Sequence, residues 1–330
     1  MYTAQDYEQL QQRMQAVRDE INRFIVGQDE AIDFTLYSML AGGHVLLEGL
    51  PGLGKTMLIR TVAEVMDLSF SRIQFTPDLM PADITGTSMI ERDSEGRQRF
   101  VFQEGPIFSQ IVLADEINRA TPKTQSALLE AMGEKTVTVL GDTKPMRSPF
   151  FVLATQNPIE MEGTYPLPEA QMDRFLCKVQ LPYPTKQALV EIMKRTTGAQ
   201  EVQLTKKMDT EVLVQAQQMT REVMIADEML AYAVNLISAT HPQAEDAIAE
   251  VKQLVLYGSG PRGLQSLIKL AKARAIMNGR FHVAIGDIKA VALPVLRHRM
   301  MLNYEGEALG HTADDILRIL LERVSQDGKL

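Results

Sequence analysis

The chain has 330 residues, 45% of them hydrophobic and 23% charged, with a formal net charge of −8 and one cysteine. That length exceeds one typical core and suits two domains, and the composition is that of a globular protein with no apolar run long enough to span a bilayer. The acid excess argues against nucleic acid as the default partner, the lone Cys177 excludes an intramolecular disulfide framework, and the N-terminus lacks a secretory pattern, so a cytoplasmic protein is expected.

In chain order, Tyr7, Leu10, Met14, Val17, Ile21 and Phe24 recur at helical spacing and predict a leading helix over 6–24, which Ile25-Val26-Gly27-Gln28 breaks. His44 to Leu47 has strand character. It runs into Gly49-Leu50-Pro51-Gly52-Leu53-Gly54-Lys55-Thr56, a complete phosphate-binding loop, and helical spacing follows from Thr56 to Ala63. In such a loop glycines let the backbone N–H groups turn inward, the following helix adds partial positive charge, and Lys55 reaches the terminal phosphates. Pro51, Gly52, Leu53, Gly54, Lys55, Thr56 and Met57 are the expected nucleotide contacts, with the Thr56 hydroxyl a ligand for Mg²⁺.

Ile111 to Ala114 and Pro149 to Ala154 are short apolar runs of the kind buried on both faces of a parallel sheet. Thr87 to Gln103 and Thr136 to Arg147 read as hairpins inserted into this α/β frame. From about residue 185 strand signals vanish, and helices are predicted at 186–195, 209–224, 227–238, 264–277, 285–299 and 313–324. The change of texture places a joint at 200–207, between a nucleotide-binding core of residues 1–200 and a smaller α-helical domain of residues 201–330.

Phosphoryl transfer to water needs a metal, a positioned nucleophile and positive charge on the developing phosphate oxygens. Asp115 and Glu116 close the strand 111–114, so Asp115 is the candidate Mg²⁺ ligand and Glu116 the candidate activator of water. Five scattered histidines, with no His-Glu-x-x-His, Cys-x-x-Cys or Gly-x-Ser-x-Gly, disfavour zinc or serine chemistry.

Leu113 to Ala120 (LADEINRA), Ala154 to Pro158 (ATQNP) and Leu167 to Phe175 (LPEAQMDRF) resemble signatures of the MoxR family of AAA+ ATPases, and the resemblance covers nearly the whole chain. It implies a P-loop NTPase core with a parallel sheet, an all-α lid, ATP and Mg²⁺, and a homo-oligomeric ring, a hexamer by expectation. It also implies roles: Asn157 as sensor 1, Arg174 as an arginine finger reaching a neighbour's site, Arg262 as the sensor-2 arginine, and Val26-Gly27 as lining of the adenine pocket. Each has a plainer alternative: an Asn-Pro turn, a surface charge, a proline-started helix, an apolar helix terminus. Pro81 to Gly86, followed by the first hairpin, resembles the helix-2-insert group, where such a hairpin often faces the ring's central opening. The family is associated with remodelling of client protein complexes alongside a partner carrying a von Willebrand factor A domain. Two other functions stay open, a DNA-acting motor and a nucleotide-gated scaffold.

Overall fold

A computed structural model describes residues 2–92, 98–139, 141–158, 164–197, 203–245 and 247–324. The chain opens with helices α1 (Ala4–Asn22) and α2 (Asp29–Leu40). Strand β1 (Val45–Glu48) leads through the phosphate loop into α3 (Lys55–Val65), and β2 (Phe70–Gln74) follows. A short α4 (Pro81–Thr85) gives way to the hairpin β3 (Gly86–Arg92) and β4 (Gln98–Glu104). Next come β5 (Ile111–Asp115), α5 (Pro122–Glu134), the hairpin β6 (Thr136–Val139) and β7 (Asp142–Pro145), β8 (Phe151–Gln156), α6 (Glu169–Met172) and β9 (Cys177–Gln180). The remainder is α7 (Lys186–Thr196), α8 (Thr210–Glu222), α9 (Asp227–Ala239), α10 (Ala249–Leu254), β10 (Val255–Tyr257), α11 (Pro261–Met277), α12 (Ile285–Leu296), β11 (Met301–Leu302), α13 (Tyr304–Ala308) and α14 (Ala313–Arg323).

The main sheet is five-stranded and parallel, in the order β2-β5-β8-β1-β9. Its central strands alternate between two cores: Val45, Leu47, Ile111, Leu113 and Leu153 face one, and Leu46, Val112, Ala114, Val152 and Ala154 the other. Burial on both faces is why these strands read as unbroken apolar runs. Leu113 is fully buried, and its truncation to alanine should cost roughly 2–5 kcal/mol. The first core continues from α1 and α2 into α8, α9, α11 and α12, so the C-terminal helices rest on the two leading helices.

Several expectations are corrected. Strands β2 and β9 and helix α2 had not been foreseen, and the region expected to be purely helical contains the small antiparallel ladder β10–β11. Helix α12 ends at Leu296 rather than at residue 299. The expected joint at 200–207 begins outside the described residues, which resume at 203.

Both inserted hairpins are present, β3 with β4 and β6 with β7. The first is pinched at its root by Gly86, against the backbone of 103–105, and by Gly105, against the backbone of Ile84 and Gly86, so that a side chain at either would collide. Toward its tip Ile90 pairs with Phe100, and the two are 58% and 76% exposed. The charged residues Asp93, Glu95 and Arg97 between the two strands lie outside the described residues.

Candidate nucleotide site

Because β1, β8 and β5 are parallel neighbours, the loop after β1, Asn157 after β8 and Glu116 after β5 emerge on one edge of the sheet, where open α/β sheets bind ligands. A cleft of about 470 Å³ lies there, lined by residues 51–57, Arg60, Arg72, Gln74, Asp115, Glu116 and Asn157. Sequence-distant carboxylates, amide and phosphate loop are thus brought together by strand order alone.

Gly52 and Gly54 hold φ of +80° and +76°, a left-handed geometry that favours glycine and lets the loop curl into the start of α3 at Lys55. The free N–H groups of that first helical turn make the cleft floor electropositive. The Lys55 ammonium donates to the Gly49 carbonyl at 2.5 Å. Partial burial lowers its pKa from the ordinary lysine value, while Asp115, Glu116 and Glu48 pull it back up. The Gln28 side-chain amide donates to the Leu53 carbonyl, tethering the segment before α2 to the loop, and Gln28 Oε1 is buried without a partner. Val26 and Gly27, expected at an adenine pocket, do not line this cleft; Gly27, with φ +72°, packs against Ala188 of α7.

Both carboxylates at the end of β5 are held by their own chain. Asp115 Oδ1 accepts from Thr155 Oγ1 at 2.6 Å, and Oδ2 accepts from Arg72 Nη2 at 2.7 Å. Glu116 adopts a left-handed φ of +56°, a strain of about 1–3 kcal/mol of the sort that clusters at functional sites. Its N–H donates to Thr155 Oγ1 at 2.8 Å, and its Oε2 accepts from Gln74 Nε2 at 3.1 Å and Arg119 Nη1 at 2.9 Å. The site residues fit a Mg²⁺ ion that arrives with a polyphosphate: the Thr56 hydroxyl and the carboxylates of Asp115 and Glu116 line the cleft, and no group of three or more His, Cys, Asp or Glu forms a self-sufficient metal cage among the described residues.

Arg174 and Arg262 stand elsewhere. Arg174 Nη1 donates to the Leu129 carbonyl of α5 at 2.5 Å and lies over Gly133, where the missing side chain leaves it room. Arg262, at the start of α11, sits 3.5 Å from Asp173 Oδ2, while the buried Arg299 donates to Asp173 Oδ1 at 2.7 Å. Arg174, Arg262 and Asp173 line a separate depression of about 300 Å³ that shares no residue with the phosphate cleft.

Gln28, Arg72, Gln74, Arg119 and Thr155 were missed by sequence reasoning. Arg72 and Gln74 did leave a trace: polar residues two apart on a short strand share a face, and their strand abuts β5, with Gln74 level with Asp115.

The family profile for the ATPase family associated with various cellular activities (AAA) matches residues 44–177, and that for the AAA lid domain matches residues 248–320. The chain is 43% identical to Chaperone MoxR1 of Mycobacterium tuberculosis over 93% of its own length and 79% of that protein's. It is 42% identical to YeaC of Bacillus subtilis over 93% of its own length and 92% of that protein's. It belongs to the MoxR family of AAA+ ATPases. A crystal structure from Cytophaga hutchinsonii, described as that of a candidate ATPase, superposes with a TM-score of 0.91 at 42% identity, covering 98% of this chain and 97% of that one. The expected fold, an AAA parallel-sheet domain followed by an AAA lid, is therefore borne out, as is an ATP-hydrolysing activity. Among the described residues no helix is long and apolar enough to cross a membrane.

Proposed function

We propose that this ATPase works as a ring, a hexamer, in which the cleft of one subunit binds Mg-ATP and the next subunit completes it with Arg174 and Arg262. The observation that carries this reading is the separation of the two sites: both arginines line a depression remote in composition from their own chain's phosphate cleft. An arginine suits the task because it stays charged and forks onto phosphate oxygens.

Within the cleft, the loop amides and Lys55 would hold the β- and γ-phosphates and Thr56 and Asp115 would hold Mg²⁺, while Val26-Gly27, outside the cleft's lining, would bound the adenine base. The metal supplies charge neutralisation on the phosphate oxygens. Glu116 takes a proton from the attacking water, whose oxygen bonds to the γ-phosphorus as the bond to the β–γ bridging oxygen breaks. Asn157 orients that water or the γ-phosphate. For Glu116 to serve, its bonds to Gln74 and Arg119 must loosen.

The division into a core of residues 1–200 and a lid of residues 201–330 is part of this reading: opening and closing of the two would turn hydrolysis into movement. The output is chaperone-like remodelling of a client protein complex in the cytoplasm, with a von Willebrand factor A domain protein as partner. The hairpin β3–β4 offers the exposed pair Ile90 and Phe100 to that client. Replacing Ile90 to Gln98 with a Gly-Ser turn is expected to spare basal hydrolysis and to abolish partner-stimulated hydrolysis; intact stimulation would make the hairpin decoration.

Mixing tests the shared site. Arg174→Ala and Lys55→Ala proteins are each expected to be inactive, with turnover down about a hundredfold or more. Each keeps what the other lacks, so mixed rings recover hydrolysis. No recovery, together with activity independent of protein concentration, would place Arg174 within its own site or outside catalysis.

A further inference from the structure

The depression that holds Arg174 and Arg262 contains a third cation with no assigned part. Lys269 lies on α11 seven residues after Arg262, with Gln265 and Ser266 between them, and all four line the depression. The spacing puts them on one helix face, with Lys269 about 10 Å farther along the axis. Lys269 makes no hydrogen bond or ion pair among the described residues. The acids nearby do not neutralise it: Asp173 is committed to Arg299 and Arg262, and Glu134 on the rim makes no ion pair among the described residues. Lys269 is solvent-exposed, and the charges of Arg221 and Lys135 act on it besides those of the depression. Cations gathered without an anion of their own attract one.

We propose that Lys269 reaches across the subunit boundary and engages the polyphosphate of the ATP bound by the adjoining copy, beside Arg174 and Arg262. This rests on the shared-site reading above. A lysine ammonium is a point charge rather than a fork, so Lys269 supports bound ATP and its transition state alike, and its loss shows in KM rather than kcat.

The test is steady-state ATP hydrolysis by the full chain at concentrations where rings form. Lys269→Gln, which keeps most of the stem, is expected to raise KM for ATP about tenfold with kcat within about twofold, while Lys269→Arg stays near the parent. Thermal melting and sedimentation of each variant report folding and assembly. Mixing Lys269→Gln with Lys55→Ala then decides the direction of action: subunits with an intact loop next to Lys55→Ala neighbours regain a facing Lys269, and KM falls back toward the parental value. An unchanged KM for Lys269→Gln, or a raised KM that mixing leaves untouched, overturns the proposal. Failure of Arg174→Ala to be rescued by Lys55→Ala would instead overturn the shared-site reading beneath it, so the two failures are told apart.

Discussion

The phosphate cleft and the arginine depression are opposites in how they treat charge. In the cleft each carboxylate already has a cation of its own chain, Arg72 on Asp115 and Arg119 on Glu116. In the depression Lys269 has no counter-ion among the described residues, and Arg262 has only a 3.5 Å contact to an aspartate that Arg299 already holds. One is electrostatically closed; the other is open and lacks an anion. On the proposed reading they are the two halves of a phosphoryl-transfer site that a ring of identical subunits would join.

The contrast is sharpest at Glu116, which lines the cleft and not the depression. Glu116→Gln is expected to retain Mg-ATP, because Lys55, Thr56 and Asp115 still line the cleft, and to lose turnover by about a hundredfold or more. Equilibrium binding of a fluorescent ATP analogue beside a phosphate-release assay separates the two effects. Turnover equal to the parent would remove Glu116 from water activation.

Acid should act on the frame that the two halves share. His44 is buried with Nδ1 accepting from the Val152 N–H at 3.0 Å and Nε2 facing the Met132 carbonyl of α5, the helix that also anchors Arg174. Burial pushes its pKa down to about 4. His298, buried against the Phe175 carbonyl next to Arg174, is also held well below the ordinary value, first by burial and then by Arg299. A histidine whose folded pKa is depressed stabilises the fold fully above the unfolded value near 6.5, and that stability is lost as pH falls through the interval below it. For His44 the interval down to about 4 corresponds to roughly 3 kcal/mol. Melting temperature should therefore fall between about pH 6.5 and 4; a melting temperature that stays flat across that interval would mean that neither histidine is protonated on unfolding.

The two halves were also unequally legible in the sequence. The loop 49–56, the strand before Asp115 and both hairpins were readable because each is a local pattern: a fixed octapeptide, a fully buried apolar run, or β-prone pieces around a turn. Strand β2, Phe-Ser-Arg-Ile-Gln, was not, since an edge strand buried at one residue carries little apolar signal. Helix α2 hid for the opposite reason: Phe34 to Leu40 are all buried, so no amphipathic period exists to be seen. Arg174 and Arg262 were named by resemblance, but nothing local could say that they would share a depression away from the cleft, because that follows from how α11 packs against the end of the core.

The smallest effect concerns the clamp on Glu116, which asks whether the cleft is truly closed by its own charges. Arg119 is about half exposed, so its pair with Glu116 is worth little as stability, on the order of 0–1 kcal/mol, yet it fixes where the carboxylate points. Gln74 holds the same oxygen from β2, so each partner alone can keep Glu116 turned aside. If the clamp restrains the resting enzyme, Arg119→Ala should raise basal ATP turnover about two- to fivefold, leave KM nearly unchanged and shift melting by no more than a few degrees. Adding Gln74→Ala should then release more than the sum of the two single changes, because the second bond no longer compensates for loss of the first. Lower turnover in Arg119→Ala would mean that the arginine aims Glu116 for catalysis, and the cleft would have to be read as assembled rather than closed.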